Sequence, residues 1–416
     1  MRRNPLLIEG IERRAVSHPG EVTQVPVKSS KSDAELNEFW SAVDRVVEFC
    51  RQNAGEIDYE GAFPEQEFQM IGESGLLAAP VETEHGGLGF GVEPGRGPDL
   101  LTLLKRIGYG NLTVGRLYEG HANALQLIQT YGTAEQRERF SRDAVQYRHV
   151  FGVWNTEMAD GVKISSLGNG RYRLDGAKTF ASGAGSIDRP LVTGAFPDGG
   201  WQMFIVPVER VSTEVDESWW KPLGMRSSAT FKIDFTGVEL TDDELIGQPG
   251  DYHRPPWFTG GAARFAAVQL GGAEALFDET RWFLQKMKRT EDPFQRQRMG
   301  LAQIAIESGD LWLNRTGEIF DLALSANSEP EFELVTTYAG MFRTAVEQIA
   351  LDMIRWSQQS VGAPGLARPQ PFERLIRDLT MYLRQPAPDA TLVSVGAYTL
   401  DRETPAHRLW ERPDEA

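Results

Sequence analysis

The sequence predicts an α+β fold, mostly α, in which a small β region is set between two helical ones. Three observations predict it. Apolar residues recur at helical spacing from Ala34 to about Val145, the period changes to two from Phe151, and it returns to 3.6 from about Pro256. The chain's 416 residues exceed the roughly 250–300 at which a single core stops growing, so more than one domain is expected.

Residues 1–34 are polar and turn-rich, with Ser17-His18-Pro19-Gly20 and Lys28-Ser29-Ser30-Lys31-Ser32 and little periodicity, and read as a loosely attached arm. A helical domain follows over 35–150, where Phe39, Val43, Val46, Val47 and Cys50 form one apolar stripe and Leu101, Leu104, Ile107 and Tyr109 another. Over 151–252 the alternation runs through Tyr172 and Leu174, Met203 and Ile205, then Phe231, Ile233 and Phe235. Turns such as Pro197-Asp198-Gly199-Gly200 separate these runs and delimit a small β domain. Within 253–401, three long blocks (Ala263 to Met287, Gln297 to Leu322 and Leu334 to Ser360) and a shorter helix near Phe372 to Met381 make an antiparallel helical bundle. Residues 402–416 read as a frayed tail.

Charge and composition exclude several classes of function. A net charge of −16, with Lys and Arg scattered among acids, repels nucleic acid and anionic membrane. No run approaches the roughly 18 apolar residues of a membrane span. The opening Met1 to Glu9 carries Arg2 and Arg3 but too little apolar sequence for a secretory signal, so a cytoplasmic protein is expected. Cys50, the one cysteine, excludes an internal disulfide and has no Cys or His cluster beside it, so it is expected in the core and no metal is expected.

The segment Leu223-Gly224-Met225-Arg226-Ser227-Ser228-Ala229-Thr230, followed by Phe231-Lys232-Ile233-Asp234-Phe235, resembles the middle-domain hairpin of the acyl-CoA dehydrogenase superfamily. Glu84-His85-Gly86-Gly87-Leu88-Gly89-Phe90 resembles that family's Gly-rich turn, and Tyr131-Gly132-Thr133-Ala134-Glu135-Gln136 the turn before its β domain. The resemblance covers about residues 36–400. It implies a helical N-terminal domain, a middle β-barrel-like domain, a C-terminal four-helix bundle and an FAD-dependent oxidoreductase.

FAD needs its ring stacked, its polar edges hydrogen-bonded and its pyrophosphate neutralised. Phe151-Gly152-Val153-Trp154-Asn155-Thr156-Glu157 resembles the family strand that meets the pyrimidine edge, which implies contacts from Asn155 and Thr156. Lys178-Thr179-Phe180-Ala181-Ser182 resembles the next element, with Phe180 in place of a tryptophan over the ring and Ser182 in place of a threonine at its edge. Gln359, Gly362 and Gly365 fall on the spacing of the signature that grips the ADP half of a neighbouring subunit's FAD. Arg289 corresponds to the arginine that pairs with the pyrophosphate across that interface, so a homodimer or homotetramer is implied. Met158-Ala159-Asp160-Gly161, Ala363 and Pro369 depart from the family pattern.

The larger departure is at the base. Dehydrogenation of an acyl thioester needs a carboxylate within reach of Cα, and the family's two glutamate positions are Pro386 and Ala263 here. An insertion of three residues brings Asp389 into register as a substitute base, with Arg264, Arg384 and Gln385 on the substrate wall. His121, where the family's channel passes, is a candidate hydrogen-bond donor or a structural residue. Ungapped spacing from Arg377-Asp378 to Val395-Gly396-Ala397-Tyr398 resembles instead the family's flavin monooxygenase branch. Those enzymes take reduced FMN or FADH2 as co-substrate and transfer an oxygen atom to S, N or C of a small molecule. Dehydrogenation, with an electron-acceptor flavoprotein as partner, ranks first on the sequence. Monooxygenation, with a flavin reductase as partner, ranks second, and a catalytically inert scaffold third.

Overall fold

The computed structural model describes residues 33–411 apart from 211–212, 259, 327 and 385–387. The arm read over 1–34 lies outside these residues except for Asp33 and Ala34, which open the first helix. That helix, α1 (Asp33–Asn53), has Asp33 and Glu35 in its first turn and Arg51 in its last, as its dipole favours, and buries Ala42, Val43, Val46 and Cys50. Helices α2 (Glu65–Glu73), α3 (Gly97–Gly110), α4 (Leu112–Tyr131) and α5 (Ala134–Val145) complete the first region. Asn111 caps α4 by accepting the Thr113 N–H at 2.8 Å, and Thr133 and Gln136 form a reciprocal capping box at the start of α5.

The strands are β1 (Phe151–Trp154), β2 (Lys163–Gly168), β3 (Arg171–Asp175), β4 (Ala177–Ala181), β5 (Arg189–Ala195), β6 (Trp201–Ile205), β7 (Glu214–Asp216), β8 (Phe231–Asp234), β9 (Glu239–Thr241) and β10 (Leu245–Ile246). They form a seven-stranded sheet in the order β10-β6-β5-β2-β3-β9, with β1 parallel to β5, and a three-stranded sheet β4-β8-β7. The alternation read from sequence falls on β3, β6 and β8. Among the described residues no pairing closes either sheet.

The C-terminal bundle contains α6 (Gly261–Lys286), α7 (Pro293–Ala326), α8 (Glu329–Gly365), α9 (Phe372–Tyr382) and α10 (Pro388–Leu400). Helix α6 is its axis and also packs on α3. A Cβ on Gly271 would lie 1.9 Å from the Lys105 carbonyl oxygen, so only glycine permits this crossing. Helix α10 was not read from the sequence; its Thr391 and Val395 seat against Gly340 of α8. The described part of the expected tail is tied down by Trp410, which stacks on Tyr398 at 5.3 Å and meets Tyr338 edge-on. One apolar cluster runs through all three regions, and a second joins α4 and α5 to β1, β5 and β6. Among the described residues no helix is long and apolar enough to cross a membrane.

Candidate active site

Strand β1 delivers Asn155 and Thr156 to the edge of the seven-stranded sheet, and β4 comes alongside through the Thr179 N–H, which donates to the Thr156 carbonyl at 2.8 Å. The β4–β8 register slips between Lys178 and Ala181. Phe180 therefore takes a left-handed backbone conformation (φ 52°) and stands out of the sheet with 48% of its surface exposed. Its ring meets Trp219 edge-on at 4.7 Å. Ser182 is half-buried beside it, and its carbonyl accepts from the Trp154 indole at 2.9 Å. Its hydroxyl accepts from Thr230 at 3.0 Å, and Thr230 in turn touches the Ser228 hydroxyl at 2.6 Å.

An exposed aromatic face, an exposed threonine and a half-buried serine thus converge where two sheets meet. That donor set fits a flat ring with polar edges, which is what a flavin presents. Asn155 also braces the sheet. Its Oδ1 accepts from Thr193 at 2.8 Å and from the Trp201 indole at 3.3 Å. Behind it lies fully buried Lys178, which donates to the Asn155 carbonyl at 3.0 Å and to Glu157 at 2.5 Å over the Trp201 ring. Burial holds the Lys178 ammonium below its ordinary pKa, and the Glu157 carboxylate offsets part of that shift.

The Leu223-Gly224-Met225 segment after Lys221 is locked to α9. The Met225 N–H donates to Asp378 Oδ1 at 2.6 Å, and Arg377 donates to the Leu223 carbonyl at 3.2 Å and to Asp58 at 2.6 Å. Burial pushes the Asp378 carboxyl up to about 6. A Cβ at Gly224 would lie 2.2 Å from the Arg377 carbonyl oxygen, so the loop can meet the helix only without a side chain there.

Between α4, α6 and the end of α9 lies a buried polar cluster. Arg116 donates to Glu119 Oε2 at 2.5 Å, and the other Glu119 oxygen accepts from the Asn123 amide. Arg264, 3% exposed, donates to Asn123, to Gln126 and, at 2.8 Å, to the Trp257 carbonyl. Burial lowers the Arg264 pKa to about 10, which leaves it cationic at neutral pH. The phenols of Tyr252 and Tyr382 feel Arg116 and Glu119, and both are held well above the ordinary phenol value, mainly by burial.

Other expected residues lie apart from this centre. His121 is fully buried, its Nε2 at 2.8 Å from the Leu77 carbonyl and its Nδ1 accepting from the Phe151 N–H at 3.1 Å, so neither nitrogen is left for a substrate. It is a structural link between α4 and β1, and the donor role considered for it is withdrawn. Asp389 is exposed in the first turn of α10 and has no partner among the described residues. Arg384 is exposed and paired with Glu347, and Gln385 and Pro386 lie outside the described residues. Arg289 and Gln359 are exposed, Gly362 bends the end of α8 with φ 61°, and Gly365 is buried against Val361.

Sequence reasoning found Arg264 and missed Arg116, Glu119, Asn123 and Gln126. The signal was present: polar residues at 116, 119, 123 and 126 share one face of a helix whose other residues are mostly apolar.

The acyl-CoA dehydrogenase N-terminal domain matches residues 33–147, and the acyl-CoA dehydrogenase C-terminal domain matches residues 263–384. A dibenzothiophene monooxygenase of Rhodococcus qingshengii is 25% identical over 405 residues, covering 90% of this chain and 95% of that protein. A short-chain acyl-CoA dehydrogenase of Clostridium acetobutylicum is 24% identical over 344 residues, covering 78% and 86%. In fold, the chain is similar to a Paenibacillus protein crystallised with FMN and indole, with a TM-score of 0.80 at 20% identity, covering 90% of this chain and all of that one.

Proposed function

The chain belongs to the acyl-CoA dehydrogenase family of flavin-dependent oxidoreductases, and from that premise we propose that it is a monooxygenase that transfers an oxygen atom to a small molecule. The order of preference read from the sequence is thereby reversed. One observation carries the choice. Dehydrogenation needs a free carboxylate over the substrate's Cα, and among the described residues of the buried cluster the only acid, Glu119, has both oxygens engaged by Arg116 and Asn123. Asp389 is out on the surface and Ala263 is an apolar core residue. Similarity to the monooxygenase also runs further along the chain than similarity to the dehydrogenase.

Reduced flavin, when bound, activates dioxygen and supplies the oxygen atom. The chain's own residues do the rest. Phe180 offers a face to the ring, while Thr156 and Ser182 offer hydroxyls to its edge. Reduced FMN, delivered by a separate flavin reductase, is the favoured form over FAD. Gly365 is a glycine because Val361 leaves no room for a Cβ, which explains it without a phosphate, and Ala363 and Pro369 break the ADP-gripping signature. A homodimer or homotetramer is kept as the assembly, with Arg289 and Gln359 exposed on the bundle for a neighbouring chain.

The test combines the purified protein, FMN, NADH, a flavin reductase and dibenzothiophene or indole under labelled dioxygen. One labelled oxygen atom in the product supports the reading. An unlabelled product pool, together with anaerobic bleaching of bound flavin by an acyl-CoA, would return the chain to dehydrogenation.

A further inference from the structure

A cleft of about 470 Å³ lies where the turn between α1 and α2 meets β8 and the loop that follows Ser182. Thr156, Phe180 and Ser182 do not line it, so it is separate from the candidate flavin site. Its wall carries four carboxylates, from Glu56, Glu65, Glu67 and Glu217, and among the described residues no Lys, Arg or His. Glu56, Glu65 and Glu217 are exposed. Glu67 differs: it is 1% exposed, and both of its oxygens are buried without a hydrogen bond among the described residues. Burial holds its carboxyl above the ordinary range, and Asn53 on the same wall offsets only part of that.

A buried carboxylate is ordinarily paired, and this one lies in the wall of a cleft whose other charges share its sign. The missing partner is a cation. No three of these carboxylates converge closely enough to hold one metal ion; among the described residues the only such group is Glu82, Glu84 and His85, which do not line the cleft. The charges are spread instead around a volume suited to a small molecule. Tyr59, Phe63 and Phe231 add aromatic rings to the same wall, and such rings attract ammonium and guanidinium groups. We propose that this cleft binds a small organic cation, a protonated amine with an apolar or aromatic arm. Glu56, Glu65 and Glu217 meet its charge at the surface, and Glu67 adds its field from within. The inference concerns a second site and holds whichever oxidation the flavin site performs.

The test compares binding of benzylamine, a cation at neutral pH, and of benzyl alcohol, a neutral molecule of similar shape, by calorimetry on the full chain with and without FMN. Benzylamine is expected to bind about tenfold more tightly, and equally well when FMN is present. Changing Glu56→Gln, Glu65→Gln and Glu217→Gln together, all at exposed positions, should remove most of that preference. Glu67→Gln should weaken benzylamine and leave benzyl alcohol unchanged; the triple variant keeps the proposal testable if this buried change prevents folding. Equal affinity of the two ligands for the unmodified protein, or no binding of either, overturns the proposal. A preference untouched by the triple change would come from the net charge of −16 and overturns it as well. Loss of benzylamine binding on addition of FMN would put the amine in the flavin site, which also overturns it.

Discussion

Acidification between about pH 7.5 and 4.5 should destabilise this protein through one residue, His121, by roughly 2.5 kcal/mol. Both ring nitrogens are engaged: Nε2 donates to the Leu77 carbonyl and Nδ1 accepts from the Phe151 N–H. A second proton would leave Nδ1 facing a donor, and burial lowers the pKa from 6.5 to about 4. The sign follows from which state binds the proton first. Unfolded chain protonates near 6.5 while the folded protein stays neutral, so this contribution is whole above 6.5 and is lost as pH falls toward about 4. At pH 4.5 about two units separate the solution from the unfolded value, each worth about 1.36 kcal/mol, less a little for folded molecules already protonated. Asp321 and Asp378, pushed up to about 6 by burial, act in the opposite sense, because protonation favours their folded form. The diagnostic quantity is therefore a difference: urea midpoints of the parent and His121→Gln, followed by tryptophan fluorescence across the window. The stability gap between them should change by roughly 2.5 kcal/mol in favour of the variant as the pH falls. A gap that stays constant would refute the reasoning.

Three further outcomes are expected. Asp378→Ala removes the acceptor of the Met225 N–H and should cost about 2–4 kcal/mol in thermal or urea unfolding; a loss below about 1 kcal/mol would mean that the loop is held elsewhere. Phe180→Ala should raise the FMN dissociation constant about tenfold without lowering the melting temperature of the flavin-free protein, since the ring is half exposed. Asp389→Asn should leave oxygen transfer within about twofold, whereas a base would lose about 10²- to 10⁴-fold, a result that would reinstate the dehydrogenase reading.

Most of the fold was legible because its helices and strands bury different periods. The three bundle blocks and the alternation of Phe231, Ile233 and Phe235 follow directly from that. Helix α10 was not legible. Prolines flank its start, and Thr391, Val393 and Val395 are β-branched, so local preference points away from a helix and packing on α8 decides. Of the site, Thr156, Phe180 and Ser182 lie on or just beyond neighbouring strands β1 and β4, whose pairing follows from the alternation in sequence. The bonds of Asn155 and the choice between the two readings of His121 were not legible, because a polar side chain's role depends on partners such as Thr193 and Leu77 that lie far away in sequence. The Arg116 cluster was missed although residues 116, 119, 123 and 126 share one face, because a polar stripe ordinarily marks the solvent side of a helix and this one points inward.

That helix also limits how this protein can change. With α4 enclosed by β1, α6 and the loop after Lys221, a saturation scan of residues 111–129 should give a block of intolerance broken only at Arg116, which is partly exposed. New substrate preferences would then arise there, or on the walls that face this helix.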